Sequence, residues 1–200
     1  MELQEMLDRA EITRVVNDWG LCRDTGRWDA LRALYAPGGT MRTTWCDCSA
    51  EEFVDRSIQS AARGSFSGHF IGASTIRVNH KRAIAETRMV LMLRAEIEGV
   101  KVDVACQGRF YDQFVKTEAG WRILHRVPVY DKDRLDPVEP GRTVHLDPER
   151  LARFAEGYRH IAHIQSLGGM TLTPGLPTRN SPEEAKLLAD GDAWLNGDHS

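Results

Sequence analysis

Two short stretches carry residues whose types suit acid–base chemistry: Cys22-Arg23-Asp24-Thr25-Gly26-Arg27-Trp28-Asp29, and further on Gly68-His69-Phe70-Ile71-Gly72. Together they offer a carboxylate and an imidazole. Histidine is the side chain whose ordinary pKa suits proton transfer near neutral pH. A carboxylate on its second ring nitrogen fixes the tautomer and stabilises the imidazolium. Asp24 and His69 are thus candidates for an orienting acid and a general base that removes a proton from carbon. A second charged candidate is Arg126, which shares strand parity with Leu124, Pro128 and Tyr130. Pointing inward, it could stabilise developing negative charge or hold a substrate anion. Pairing with a structural acid such as Asp103 or Asp112 is the alternative, and the pattern alone does not choose between them. Trp19, Tyr35, Tyr111 and Tyr130 are the aromatic candidates for substrate contact, with Tyr35 and Trp28 also suiting a core role. Tyr111 alternates with Phe110 along one strand, so parity places them on opposite faces without telling which face lines a cavity.

These residues need a framework to bring them together, and 200 residues are enough to bury one sizeable core with an appendage. Twenty-six basic residues against 29 acidic ones give a net charge of -3, with no long block of like charge, which argues against nucleic acid as a main partner. No apolar run approaches the ~20 residues of a membrane span, and the first residues lack the pattern of a signal peptide. A soluble, cytoplasmic protein is the expectation. Cys22, Cys46, Cys48 and Cys106 are read as reduced thiols in packing or loops. Cys46-Asp47-Cys48 lacks a second ligand pair, and His160 with His163 is too few, so neither a metal nor a cofactor is expected. His125, His160 and His163 show no partner in the sequence.

Residues 3–23 place Leu3, Met6, Leu7, Ala10, Ile12, Val15, Val16 and Trp19 at helical spacing. Thr25-Gly26 interrupts this helix, and a shorter one carrying Trp28, Leu31, Leu34 and Tyr35 ends at Pro37-Gly38-Gly39. A short strand over 40–45 and a helix starting at Ser49-Ala50-Glu51-Glu52 follow. Long β-rich runs then cover 69–79, 83–96, 100–116 and 121–130, joined by turns short enough for antiparallel hairpins. The pattern predicts an α+β fold with helices packed on one face of a curved sheet. Residues 133–141 read as a linker. Beyond it, Asp147-Pro148 starts a helix running to Gly168-Gly169, and Ser181-Pro182-Glu183-Glu184 starts another.

The order of elements, with Asp24 after the first helix and His69 opening the long strands, resembles the SnoaL-like branch of the nuclear transport factor 2-like superfamily. The run from Asp24 to Gly39, Asp-x-Gly-x-Trp-Asp-x-Leu-x-x-Leu-Tyr-Ala-Pro-Gly-Gly, resembles that family's second helix and first strand. Gly120-Trp121-Arg122-Ile123 followed by Arg126 resembles its last strand. The resemblance implies a cone-shaped curved antiparallel sheet, with N-terminal helices closing a deep pocket over residues 1–135 and a helical C-terminal extension over 136–200. Within the branch, the chain is similar to scytalone dehydratase, bile acid 7α-dehydratase and hexachlorocyclohexane dehydrochlorinase. That similarity implies an Asp24–His69 dyad and places Arg126 at the pocket. It also implies a departure: Trp19 stands where relatives carry a tyrosine or lysine, and indole is no general acid.

The resulting expectation is a cofactor-independent, dehydratase-type lyase acting on a small, partly apolar, cyclic molecule. Alternatives are an isomerase or polyketide cyclase with the same dyad, and a non-catalytic ligand-binding or oligomerisation domain. Relatives assemble as trimers or dimers, so a homo-oligomer is expected, with the C-terminal helices as a subunit contact or pocket lid.

Overall fold

Helix α1 (Leu3–Thr25) buries Ile12, Val15, Val16 and Trp19, four residues whose spacing puts them on one face. The computed structural model of the chain describes residues 2–197. Asp8 ties the start of α1 to the sheet, accepting from the Trp121 indole N–H at 2.9 Å and the Lys116 ammonium at 2.7 Å. Gly26 ends the helix at φ 70°, a left-handed conformation that glycine adopts without strain. The short α2 (Trp28–Ala33) follows.

The sheet contains β1 (Tyr35–Thr43), β2 (Cys46–Ser49), β3 (Phe66–Asn79), β4 (Arg82–Ile97), β5 (Val100–Thr117) and β6 (Gly120–Pro137), in the order β2-β1-β6-β5-β4-β3. Strands β3 to β6 form the expected antiparallel meander. The sheet is mixed, however, because β1 lies parallel to β6, with Met41 opposite Arg126. Helix α3 (Ala50–Ala62) provides the crossover from β2 at one edge to β3 at the other. Its start at Ser49 is as expected: the Ser49 hydroxyl accepts from the Glu52 N–H at 3.2 Å.

Three local features depart from the sequence reading. Strand β2 was not anticipated, and its Cys46 and Cys48 are joined as a disulfide rather than left as thiols. Alternate residues of a strand share a face, which sets the two cysteines side by side. Strand β6 continues through most of the expected linker, still paired as far as Pro137 opposite Val102. Its charges at Lys132 and Arg134 are the exposed alternation of a strand with one wet face.

Third, the helix expected over 148–168 is broken into α4 (Pro148–Leu151), a 3₁₀ turn (Glu156–Tyr158) and α5 (Arg159–Leu167). Gly157 explains the break: a Cβ there would sit 2.7 Å from the Tyr130 carbonyl oxygen, so the chain dips against β6 instead of continuing as a helix. Asp133 then caps the new helix, accepting from the N–H groups of His160 at 2.7 Å and Ile161 at 2.9 Å. Ile161 and Leu176 join the same apolar core as Val16 and Trp19. The last helix, α6 (Pro182–Asn196), packs on the other face of the sheet with Ile84, Tyr111 and Val129. Among the described residues, no helix is long and apolar enough to cross a membrane.

Candidate active site

The last turns of α1 lie directly on β3. A Cβ at Gly20 would come within 2.7 Å of Ile71 Cγ1, so glycine lets helix and strand approach closely. That approach brings Asp24 to His69. Asp24 Oδ1 lies 2.6 Å from His69 Nδ1, and Asp24 Oδ2 accepts from the His69 backbone N–H at 2.6 Å. Both carboxylate oxygens are thus committed to one residue. With Nδ1–H donating to the carboxylate, the other ring nitrogen, Nε2, keeps its lone pair for a proton.

The surroundings favour the neutral ring. Burial pushes the His69 pKa below its ordinary value; Asp24 opposes this, while the cationic Arg23 and Arg126 reinforce it. The imidazole side chain is 9% exposed. Its ring stands edge-on to Trp19, centroids 5.2 Å apart, with Phe110 at 6.3 Å.

His69 lines a cavity of about 1000 Å³ whose inner wall includes Trp19, Phe53, Met89, Phe110 and Tyr130. The end of α3 and a strap, residues 164–174, complete the enclosure. The strap is held down: the Thr173 N–H donates to the Thr44 carbonyl at 2.9 Å, and Arg42 donates to the carbonyls of Pro174 and Gly175 at 3.0 and 3.2 Å. A concave cavity whose wall mixes aromatic and aliphatic side chains with polar and charged ones suits a small organic ligand. Among the described residues, no group of three His, Cys, Asp or Glu side chains could hold a metal ion.

The remaining candidates separate. Trp19 and Tyr130 line the cavity. Trp19 presents only its ring, because its indole N–H donates to the Tyr35 hydroxyl at 2.8 Å. Tyr130 is held by the Thr43 hydroxyl at 3.0 Å, and burial pushes its phenol pKa up. Tyr35 is a correction: it sits behind Trp19 in the core rather than on the cavity wall, its pKa pushed up to about 12 by burial. Tyr111 is another, since it faces α6 on the far side of the sheet.

Arg126 is the third correction, and pairing with a structural acid is the alternative that holds. It is wholly buried in a two-pronged ion pair with Asp112, opposite it across β5 and β6, both contacts being 2.7 Å. Its guanidinium carbon lies 4.3 Å from the Trp19 ring centroid and 4.2 Å from that of Phe110. Arg126 is not among the residues that line the cavity. It reaches His69 only through its charge. Asp103, the other candidate partner, pairs with Arg94.

Neither does Asp24 cap the second helix, since both its oxygens go to His69. His125 and His160, which show no partner in the sequence, both have one: His125 contacts the Thr40 hydroxyl at 2.8 Å, and His160 contacts Asp133 at 2.7 Å. Residues not singled out beforehand complete the wall, notably Phe53, Met89, Phe110 and Arg23. The signal for Arg23 was its place beside Asp24 at the end of α1; Phe110 became readable only once the cavity face of β5 was known.

A curved open sheet with helices on its concave side, and a His–Asp pair opening into a cavity, define an α+β cone of the ligand-enclosing type. The chain belongs to the SnoaL-like domain family, which matches residues 4–127. A PEP2-like protein of Fusarium vanettenii is 26% identical over 96% of this chain and 88% of its own length. Pea pathogenicity protein 2 of the same fungus is 27% identical over 96% and 87%. Among solved structures, a Novosphingobium aromaticivorans protein provisionally assigned as a scytalone dehydratase superposes with a TM-score of 0.57. It is 16% identical, over 70% of this chain and 97% of the other, a likeness of fold alone.

Proposed function

We propose that the chain is a cofactor-independent enzyme that abstracts a proton from carbon, in a dehydratase-type elimination, with His69 as base and Asp24 as its orienting partner. The observation that carries the reading is the two-oxygen grip of Asp24 on His69, which leaves one ring nitrogen free at the edge of the cavity, beside the Trp19 and Phe110 rings. In this reaction the substrate C–H bond breaks and its proton goes to Nε2; the electron pair forms the new C=C bond and breaks the C–O bond, and the imidazolium hands the proton to the departing oxygen, which leaves as water and restores the neutral base. Trp19, Phe53 and Phe110 supply a face for a cyclic, partly apolar substrate. Isomerisation would use the same base and return the proton elsewhere on the carbon skeleton; the product mass, lower by one water or unchanged, tells the two apart.

A probe for the base itself is 5-nitrobenzisoxazole, whose ring opens when its acidic C–H proton is removed. The wild type is expected to accelerate this opening, and His69→Ala to lower the rate by about 10²–10⁴-fold with the fold intact. An unchanged rate in His69→Ala would remove His69 as the base, and with it this reading.

A further inference from the structure

The cavity wall carries four arginines, Arg23, Arg56, Arg63 and Arg94, against a single acid, Asp47, which is itself engaged by Arg42 at 3.2 Å. Arg56 pairs with Glu52, and Arg94 with Asp103. Arg63 is exposed at the rim. Arg23 differs from all three: it is half-buried on the cavity wall, and no ion pair or hydrogen bond holds it among the described residues. Its guanidinium carbon sits 5.9 Å from the Trp28 ring centroid and 6.0 Å from that of Phe53. Its neighbour Asp24 has spent both oxygens on His69. Burial pushes the Arg23 pKa down, and the nearby Asp24 charge opposes this only in part. A half-buried guanidinium whose donors no side chain of the wall accepts is open to an anion, and a carboxylate arriving in the cavity would supply one.

We propose that the cavity selects a small cyclic carboxylic acid, with its carboxylate gripped by Arg23 and its ring against Trp19, Phe53 and Phe110. The guanidinium fork matches a carboxylate in two parallel hydrogen bonds, which a neutral amide cannot reproduce. This deepens the base-catalysis reading by naming its substrate class, while the binding preference itself needs no chemistry from His69.

The test is a matched pair of probes, 2-naphthoate and 2-naphthamide, with affinities measured by titration calorimetry on the full chain. The wild type should bind the acid at least about tenfold more tightly than the amide, as expected for hydrogen bonds to a charged group. R23Q should bring the ratio close to one with little change in affinity for the amide, whereas R63Q at the rim should keep it. R23K preserves the charge but not the fork and should retain only part of the preference; it serves as the deciding variant where R23Q does not fold. Equal affinities in the wild type, no binding of the acid, or a full preference in R23Q or R23K would overturn the assignment. H69Q separates the two proposals: it should keep the acid preference while losing proton abstraction.

Discussion

Among the described residues, two His–Asp pairs have nearly the same local geometry. In each, one aspartate accepts from both the backbone N–H and the ring Nδ1 of the same histidine: at 2.6 Å twice for His69 with Asp24, and at 2.7 Å twice for His160 with Asp133. The difference lies in what surrounds them. His69 is set among Trp19 and Phe110 at the cavity, within reach of the charges of Arg23 and Arg126. Asp133 also accepts from the Ile161 N–H, so its carboxylate caps α5 and anchors the extension to β6. A hydrogen-bonded His–Asp pair is therefore no signature of catalysis by itself. One pair is a candidate base because a cavity faces it; the other fastens a helix.

The largest expected contrast follows directly. His69→Ala should lower the opening of 5-nitrobenzisoxazole by about 10²–10⁴-fold, whereas His160→Ala should leave the rate within about twofold because its ring lies outside the cavity wall. Paired rate measurements check this. Equal losses in both variants would mean that the cavity does not distinguish the two histidines.

How far the sequence revealed each pair depends on how far each lies from regular structure. Asp24 and His69 were legible because a long amphipathic helix and a β-run flank them in a recognisable family order. The α+β class and the meander followed from equally strong periodicities. His160 with Asp133 was missed because Asp133 lies in a Pro-rich stretch that reads as a linker but stays paired as strand. The helix start at His160 is set by the approach of Gly157 to β6, a tertiary contact without a sequence period. Arg126 shows the same limit: parity correctly turned it inward, yet only the register placing Asp112 opposite it decided between ligand and ion pair.

Stability should sort the pairs the other way. Asp133 is fully buried and satisfies three N–H donors, two on the backbone and one on the ring. Asp133→Ala leaves those donors without an acceptor and should cost about 2–3 kcal/mol. Urea denaturation of this variant beside Asp24→Ala checks the ordering: Asp24 is partly exposed and caps no helix, so its loss should cost less.

The acid limb of the stability curve sharpens the contrast further. Because the folded state holds the His69 pKa below its ordinary value, the unfolded chain takes up this proton more readily. The contribution is therefore fully present above the ordinary histidine pKa and is lost as pH falls through the lowered folded value. His69→Gln should flatten that part of the curve of melting temperature against pH. An unchanged acid slope would mean that burial and the two arginines do not hold the ring neutral.

The smallest effect separates burial from charge at His69. Arg23 and Arg126 both lower its pKa, but Arg126 is locked to Asp112, so replacing it would also strand a buried carboxylate. Arg23 has no such partner and can be removed more cleanly. Arg23→Gln should raise the midpoint of the rate–pH profile for 5-nitrobenzisoxazole, a neutral probe with no carboxylate to grip, toward the ordinary histidine value while leaving the plateau in place, since the neutral base above the midpoint is the same group. The shift is expected to be modest, because burial is the largest cause of the lowered pKa and remains. NMR titration of the His69 ring in the same variant measures the group directly. A midpoint that stays put in both measurements would assign the lowered pKa to burial, and Arg23 would then act on the ligand alone.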